Sequence, residues 1–386
     1  MQYSNGITLR CSPEQRLRSK NEWVKAVDVK TGMPAYMSFA EGIFGDQTAF
    51  NLDYTAEYRT KKTPTLPKAW TKDLAGLIGY ILADGHICRS NYNGKPSKVV
   101  LAFGWDDEYL ISYFERATNR IFGKSGVRRI TKTCLTLEVS GVDIGGCVEQ
   151  LGAGGLSGDI RVPPNLFCAP ENIIAAFLRG YFEGDGHVKN DQISVRSVSL
   201  SMLQDVQQLL TLFGIPSSIS RGSTDPRGYA PRHTLRIVGD RSKQSFYDRI
   251  GFLSARKQEA CKKSVTASNE KSPAELLTLP NDLNLGSIKP QLYSAHRDVE
   301  QKIPQALSVF MHKFVAGCQT VTLQRAEWII DSLPNEELRQ RISFLDEAVN
   351  GQYYEVTIIR VSHEPAVPMY DISVDEEQYI AQGIIV

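Results

Sequence analysis

Two stretches of the chain repeat one pattern of apolar and polar positions. Residues 77–86 read LIGYILADGH, and residues 178–187 read LRGYFEGDGH. Each is an apolar run with helical spacing that ends in a small residue, an Asp, a Gly and a His. The residues before the runs predict helices that begin near Thr71, a suitable N-cap, and near Pro170. This repetition indicates a duplicated unit.

The sequence that follows each motif has the same order of predicted elements. A polar loop leads to a β-like run (98–103 and 192–197), and then to an amphipathic helix that ends at a Gly (107–122 and 201–213), with further β-like sequence after it. We therefore predict one αββαββα half over about 67–165 and a second over about 166–265.

The two ends of the chain show a different pattern. Residues 1–66 alternate short β-like runs (7–10, 23–29 and 35–39) with turn residues, and residues 350–386 again read as strands. We expect these ends to pair as one split β domain into which the repeat is inserted. Residues 266–349 predict short helices at 306–315, 323–330 and 336–345. The predicted fold class is thus α+β, with a small helical accessory domain in which DNA contact and a purely structural role both stay open.

Small residues recur four positions apart within each motif: Gly79 and Ala83 in the first, Gly180 and Gly184 in the second. Glycine inside a helix costs up to about 1 kcal/mol relative to alanine, so its use there calls for a packing reason. Small residues at this spacing allow two helix backbones to approach closely. We predict that the motif helices pack on each other across a pseudo-twofold axis.

This packing would bring Asp84 and Asp185 together at the C-terminal ends of both helices. Two carboxylates beside the negative ends of two helix dipoles repel each other, and a divalent cation compensates this repulsion. Hard oxygen ligands suit Mg²⁺, with Mn²⁺ as a substitute. A metal-bound water as nucleophile, with metal on the leaving oxygen, describes phosphodiester hydrolysis.

Three further residues are candidates for this site. His86 and His187 follow the Asp-Gly pairs and could reach a phosphate, although each could equally be a polar loop side chain. Lys257 is a candidate basic group near the scissile phosphate, against the alternative of a solvated surface lysine.

Composition limits the classes of protein that remain. The 386 residues are 42% hydrophobic, without an apolar run of about 18 residues and without a signal-peptide layout at the start. We therefore expect a soluble intracellular protein, either cytoplasmic or nucleoid-associated or phage-encoded, that does not cross a membrane. Seven scattered cysteines without a CxxC pair indicate neither a disulfide framework nor a zinc site.

Charge is informative through its distribution. The net charge is only +1, but six basic residues between Arg116 and Lys132 occur without an acid among them, and eleven lie between Arg221 and Lys263. Each run follows a motif, which favours contact with a polyanion over a merely solvated face.

The two decapeptides resemble the dodecapeptide motifs of the LAGLIDADG homing endonucleases, in the form found in inteins. Residues 195–200 (VRSVSL), 204–210 (QDVQQLL) and 213–216 (FGIP) are similar to the stretch that typically follows the second motif. The resemblance covers about 70–265. It implies a saddle of two sheets over the DNA major groove and Mg²⁺-dependent cutting of both strands at a stagger.

The resemblance also implies roles for particular residues. Asp84 and Asp185 would be the metal-binding catalytic acids, with help from the backbone carbonyls of Ala83 and Gly184, and Lys257 would complete the catalytic set. Basic residues of the sheets would contact double-stranded DNA: Arg128, Arg129, Lys132, Arg196, Arg221, Arg232 and Arg236. Both halves lie in one chain, so a monomer suffices and no protein partner is implied.

The ends resemble the self-splicing Hint module with departures. Residues 9–15 (LRCSPEQ) are similar to a block that normally carries Thr-x-x-His, but Gln15 stands at the His position, and Gln378 stands where another His is usual. The N-terminal nucleophile and the terminal Asn of the family are also missing from the sequence. We therefore expect a degenerate Hint-like domain that does not splice.

Three functions compete on this sequence. The first is a site-specific DNA endonuclease. The second is a LAGLIDADG protein that has lost cleavage and binds nucleic acid, as an intron maturase or a regulator. The third is a degenerate Hint protein with a silent insert. Retention of both Asp84 and Asp185 favours the first over the second, and the intact small-residue spacing in both motif helices argues against the third.

Overall fold

The computed structural model describes two compact units. The described residues are 1–19, 22–37, 42–52, 64–189, 191–223, 228–266, 276–278, 294, 320–331, 336–341, 343–350, 353–365, 380–381 and 384–385. One unit comprises Met1–Ala40 and Asn269–Val386, and the other comprises Glu41–Ser268. No helix in these ranges is both long enough and apolar enough to cross a membrane.

The secondary structure follows the predicted repeat. The N-terminal strands are β1 (Gln2–Tyr3), β2 (Arg16–Ser19), β3 (Glu22–Lys25) and β4 (Pro34–Met37). The first half contains α1 (Lys72–Asp84), β5 (Gly85–Arg89), β6 (Pro96–Phe103), α2 (Glu108–Phe122), β7 (Val127–Ile130), β8 (Leu135–Ser140) and α3 (Val142–Val148). The second half contains α4 (Glu171–Asp185), β9 (Gly186–Lys189), β10 (Gln192–Ser197), α5 (Leu200–Thr211), β11 (Ser217–Ser220), β12 (His233–Ile237) and α6 (Asp240–Ser245), and α7 (Ala255–Thr266) follows it.

The C-terminal part contains both strands and helices. These are β13 (Leu276–Thr278), β14 (Thr320–Thr322), α8 (Leu323–Asp331), α9 (Glu336–Arg341), α10 (Ser343–Asn350), β15 (Tyr354–Arg360), β16 (Ile380–Ala381) and β17 (Ile384–Ile385). Helices lie where the patterns at 323–330 and 336–345 predict them, although the second is divided between α9 and α10. The predicted helix 306–315 falls outside the described residues, as do residues 366–379 of the C-terminal stretch that is predicted to form strands.

Strands from both ends of the chain share one sheet in the first unit. Its order is β1-β15-β4-β17-β16, and in sequence the second unit lies between β4 and β15. Tyr3, Leu17 and Val356 are buried in its core. The strand predicted at 7–10 is reduced to a single bridge between Thr8 and Gln2. The strand predicted at 23–29 ends at Lys25, because the chain turns into a 3-10 helix over Ala26–Asp28.

Each half of the repeat builds the same four-stranded antiparallel sheet. The strand orders are β5-β6-β8-β7 and β9-β10-β12-β11, so corresponding strands occupy corresponding places. One face of each sheet is apolar and buried, as Leu101 and Leu137 show in the first half and Val195 and Leu235 in the second. Because side chains alternate along a strand, the opposite face carries the polar residues.

The repeat unit begins earlier than the predicted boundary at residue 67. The backbone N–H of Gly42 donates to the carbonyl of Leu212 at 3.2 Å, and the Phe44 ring packs edge-on against Phe213 with centroids 5.0 Å apart. Residues from Glu41 onward therefore belong to the compact unit of the repeat.

Helices α1 and α4 touch through their glycines. A Cβ added at Gly180 would lie 2.9 Å from the carbonyl carbon of Gly76, and one added at Gly79 would lie 2.9 Å from the amide nitrogen of Tyr181. Ala83 fills the equivalent place opposite Gly184 with its own methyl group. The two backbones are thus in direct contact, as the small-residue spacing predicts, and no larger side chain fits between them.

We expect Gly180→Ala to destabilise the protein although alanine favours a helix. The added methyl group overlaps the Gly76 backbone, and such overpacking costs about 1–3 kcal/mol of unfolding free energy. The matched control is Gly158→Ala, because nothing lies within 4 Å of a Cβ at that position. Urea unfolding of both variants measures the difference, and equal stabilities would mean that the helices are not in backbone contact. Gly180→Leu places a larger side chain at the same contact and should lower the unfolding free energy more than Gly180→Ala does.

Candidate active site between the motif helices

The C-terminal ends of α1 and α4 bring Asp84 and Asp185 to one place. Each is the last residue of its helix, and the next residue begins a strand. A Cβ on Gly184 would lie 3.3 Å from Oδ2 of Asp84, so the Asp84 carboxylate rests against the last turn of α4. The predicted pair of acids is thereby assembled from both halves of the repeat.

Burial raises the pKa of both acids, and the charge of Asp84 adds to the effect on Asp185. The pKa of Asp185 is raised to about 7, mainly by burial and then by the negative charge of Asp84, against the opposing effect of Lys257. The pKa of Asp84 is also raised, by burial above all and further by Asp107, against the opposing charge of Lys257, although the residue keeps an exposed surface. Two carboxylates that both resist ionisation form a site that favours a cation.

Lys257 lies beside this pair, in the first turn of α7. Its Nζ donates to the carbonyl oxygens of Glu183 and of Gly186, the latter at 2.8 Å, and lies 3.5 Å from the carbonyl of Gly184. Only 14% of the side chain is exposed. Burial lowers its pKa, against the charge of Glu183, Asp84 and Asp107. The ammonium therefore neutralises the carbonyl end of α4.

Glu183 and Asp107 are members of this cluster that sequence reasoning missed. Glu183 is buried and accepts backbone N–H groups from Leu253 and Ser254, just before α7. Asp107 precedes α2 and raises the pKa of Asp84. The sequence could have indicated Glu183, because it is an acid inside the repeated motif at a position where the first copy has Leu82. The sequence could not have indicated Asp107, because its position near Asp84 depends on how α2 packs.

A cavity of about 700 Å³ lies beside Asp185 and is lined by residues of both halves. Asp185, His86 and Ala83 line it together with Arg196 and Arg232. His86 is exposed at its edge. The cavity thus combines one catalytic candidate with cationic side chains, which is a suitable setting for a phosphate group.

The polar face of the second-half sheet is strongly cationic. His187, Ser194 and Arg236 lie side by side across β9, β10 and β12, with Arg196 two residues further along β10. Burial lowers the pKa of His187, and so do Arg196, Lys257, Lys189 and Arg236. Within the described ranges, no carboxylate pairs with Arg196 or Arg236. The Nε2 of His187 lies 3.2 Å from the Ser194 hydroxyl, so this histidine is part of the face.

On the corresponding face of the first half, an acidic side chain of the same sheet neutralises two of the basic side chains. Glu138 pairs with both Lys98 at 2.9 Å and Arg129 at 3.0 Å. Val100 and Ala102 occupy neighbouring positions on β6. The two halves therefore present unlike surfaces although their folds match.

Arg128 does not lie with the other predicted DNA-contact residues. It pairs with Leu137 across the sheet, and its guanidinium forms ion pairs with Glu108 and Glu115 of α2. The side chain therefore projects toward the helix layer rather than the polar face. Lys132 and Arg221 are exposed in the connections next to the strands, and Arg232 is exposed just before β12.

Two carboxylates, those of Asp84 and Asp185, are the side-chain ligands that the described residues offer to a divalent cation at this site. In the part of the chain that the structure describes, no group of three or more His, Cys, Asp or Glu side chains could hold a metal ion. Asp84 and Asp185 offer two carboxylates whose raised pKa values would be relieved by a cation. The Gly184 carbonyl, predicted as a further ligand, already lies near Lys257.

Comparison with known proteins gives matches for parts of the chain. Residues 172–251 match the sequence model of a family described as LAGLIDADG-like domain. A probable translation initiation factor IF-2 of Thermococcus kodakarensis is 42% identical over 111 residues, which are 28% of this chain and 9% of that protein. The glutamine–fructose-6-phosphate aminotransferase of Methanocaldococcus jannaschii is 27% identical over 231 residues, which are 58% of this chain and 19% of that protein. The chain thus spans less than a fifth of the length of these two relatives.

Among solved structures, the homing endonuclease I-DmoI in complex with DNA and calcium is similar with a TM-score of 0.38 and 15% sequence identity. The match covers 50% of this chain and 97% of that chain.

We expect the buried acid to make the metal-free protein less stable as the pH rises. Above about pH 4 the unfolded chain loses the Asp185 proton, whereas the folded chain keeps it up to about pH 7. Relative to Asp185→Asn, the wild type should therefore lose up to about 4 kcal/mol of unfolding free energy between these pH values.

Urea unfolding at several pH values in the presence of a chelator measures this difference. Asp159→Asn, a change at an exposed carboxylate, should follow the wild type throughout. Parallel curves for the wild type and Asp185→Asn would contradict the assignment of the raised pKa to this residue.

Proposed function

We propose that this chain is a site-specific endonuclease that hydrolyses both strands of a DNA target with the help of Mg²⁺. The observation that carries the proposal is the meeting of Asp84 and Asp185 at the ends of two helices in backbone contact. A protein that only binds DNA gains nothing from a repulsive acid pair. The family match of residues 172–251, which include Asp185, agrees with this reading.

The residues of the site would have separate roles in hydrolysis. Asp84 and Asp185 would hold Mg²⁺ or Mn²⁺, and the ion would supply an activated water and stabilise charge on the leaving oxygen. Lys257 is fixed by carbonyl oxygens beside Asp84, where its ammonium would stabilise negative charge on the scissile phosphate. Arg196 and Arg232 would hold the phosphate backbone at the cavity next to Asp185.

The polar sheet faces would form the DNA-binding surface, and we propose that one chain binds as a monomer. Arg236 and Arg196 lie on the cationic face of the second half, and Arg129 lies on the polar face of the first. Arg221, Arg232 and Lys132 are exposed at the strand ends and would add phosphate contacts. Arg128 is left out of this surface, because its guanidinium is held by two glutamates on the helix side.

We also propose that the chain descends from an intein. The two relatives are named for unrelated activities, a translation factor and an aminotransferase, yet the similarity covers a small part of each. Insertion of a related element into each of these proteins would explain why proteins with such different names are similar to this chain over a small part of their length. The first unit's sheet contains N-terminal and C-terminal strands, and the repeat unit lies between them in sequence. This arrangement supports the proposed Hint-like origin of the sheet.

Splicing is not part of the proposed function. Gln15 occupies the position where the resembling Hint block carries a histidine, and an amide side chain neither accepts nor releases a proton near neutral pH. Gln378, at the second such position, lies outside the described residues.

Cleavage of a randomised duplex DNA library in the presence of Mg²⁺ tests the proposed activity. Sequencing of the ends should show staggered cuts at one long site. Asp84→Asn and Asp185→Asn should each reduce cutting by at least about 100-fold, because each removes several kcal/mol of metal-dependent stabilisation. Asp159→Asn serves as the control and should cut normally. DNA that is bound but never cut by the wild type would replace this proposal with a nucleic-acid-binding function.

The salt dependence of DNA binding tests the proposed surface. Arg196→Ala and Arg236→Ala should each weaken binding and reduce the slope of log K against log salt by about 1, as expected when one phosphate contact is lost. Arg128→Ala is the matched control, because this arginine faces α2, and it should leave the slope unchanged. A reduced slope in Arg128→Ala and none in the other two variants would place DNA elsewhere. Fluorescence anisotropy at several salt concentrations, with Ca²⁺ in place of Mg²⁺, gives the slopes.

A further inference from the structure

Glu183 is the acid of the second motif that has no counterpart in the first. The first motif carries Leu82 at the same place. The Glu183 side chain is only 1% exposed. Because a buried carboxylate is costly unless it has partners, its contacts indicate what it does.

The two oxygens of Glu183 have different surroundings. Oε2 accepts the backbone N–H groups of Leu253 at 2.6 Å and of Ser254 at 3.0 Å, which are the two residues that lead into α7. Oε1 faces Nζ of Lys257 at 4.0 Å, and among the described residues it has no hydrogen-bond partner. One oxygen thus holds the segment that carries Lys257, and the other faces its charge.

The first half of the repeat lacks both members of this pair. Gly152, with φ +90°, corresponds to Gly251, with φ +64°, because each is a left-handed glycine at a π-helical turn that ends its half: Gly152 breaks the turn over Glu149–Ala153, and Gly251 directly follows the turn over Phe246–Ile250. After Gly251 the chain forms α7 and places Lys257, but between Gly152 and Pro163 it contains no lysine. The basic residue of that segment, Arg161, pairs with Asp205 at 2.7 Å.

An open space takes the place of the lysine in the first half. Lys257 sits on the carbonyls at the end of α4 and faces Asp84. The equivalent position, beside Leu82, Ala83 and Gly85 and facing Asp185, is occupied by the cavity of about 700 Å³. The site at Asp84 and the site at Asp185 therefore differ, although the two acids correspond: Lys257 faces Asp84, and the cavity lies beside Asp185.

We propose that Glu183 is a positioning residue for Lys257, and that this pair serves the cleavage of one DNA strand and not of the other. The inference rests on the proposed endonuclease function. Glu183 holds the Leu253–Ser254 segment in place and faces the ammonium, so that Lys257 stays directed at the end of α4. The second strand is cut at the site beside the cavity, without a lysine.

Three substitutions separate the parts of this role. Glu183→Gln keeps an oxygen to accept both N–H groups but removes the charge. Glu183→Leu copies the first half and removes both. Lys257→Met removes the ammonium itself. We expect Lys257→Met to slow one strand by about 100-fold, Glu183→Gln to slow the same strand by about tenfold, and Glu183→Leu to approach Lys257→Met.

The rates are measured on the DNA site selected from the randomised library, with a different fluorophore on each strand. The other strand should be cut within about twofold of the wild-type rate in all variants. The double variant Glu183→Gln with Lys257→Met should be no slower than Lys257→Met alone, because a residue that acts through Lys257 has no effect without it. Equal slowing of both strands, unchanged rates, or multiplied effects in the double variant would each overturn the proposal.

A second measurement tests the positioning without any cleavage. Reductive methylation of the full chain, followed by peptide mass spectrometry, compares Lys257 with Lys263, whose side chain is 74% exposed. Lys257 should be modified slowly in the wild type and at least about fivefold faster relative to Lys263 in Glu183→Leu, with a smaller increase in Glu183→Gln. Unchanged modification in both variants would overturn the positioning role.

The two measurements keep the failures of the two proposals apart. A wild type that cuts neither strand would overturn the endonuclease function, and the methylation result would still decide whether Glu183 positions Lys257. A wild type that cuts both strands, with both slowed alike in the Glu183 variants, would overturn only the inference about Glu183.

Discussion

The direct contact between the backbones of α1 and α4 is the constraint on which the rest of the repeat unit depends. Gly79 and Gly180 leave no side chain between the two helices, so the helices approach as closely as their carbonyl groups allow. The separation of Asp84 from Asp185 is set by this approach. A single added methyl group at either glycine would change the geometry of packing and of the site together, because both are built from the same few turns of helix.

This arrangement places negative charge where it is least favourable. Asp84 and Asp185 stand at the carbonyl ends of two helices and near each other. Burial, and then the charge of Asp84, raises the pKa of Asp185 to about 7. Lys257 offsets part of this cost by binding the carbonyl groups at the end of α4. The remaining repulsion is the physical basis for proposing a divalent cation at the site.

Sequence patterns were sufficient where a repeated motif fixed the geometry, and insufficient where long-range packing decided it. The glycine spacing predicted the helix contact, and the Asp-Gly pairs predicted the meeting of the acids. The direction of Arg128 was beyond prediction, since the strand VRRI is apolar at both ends and carries its basic residues at adjacent positions. The pairing of β7 with β8 decides which arginine lies on the polar face of the sheet. Asp107 contributes to the site only because α2 packs where it does.

The unlike polar faces of the two sheets have a consequence for the symmetry of a bound partner. A homodimer shows the same face twice, and therefore reads sequences that repeat about a twofold axis. In this chain the second half offers Arg196 and Arg236 without acidic partners among the described residues, whereas the first offers a face on which Glu138 already occupies Lys98 and Arg129. A duplex lying across both faces would meet two different sets of contacts. Under the proposed function, its target would be a non-palindromic sequence that can be bound productively in one orientation only.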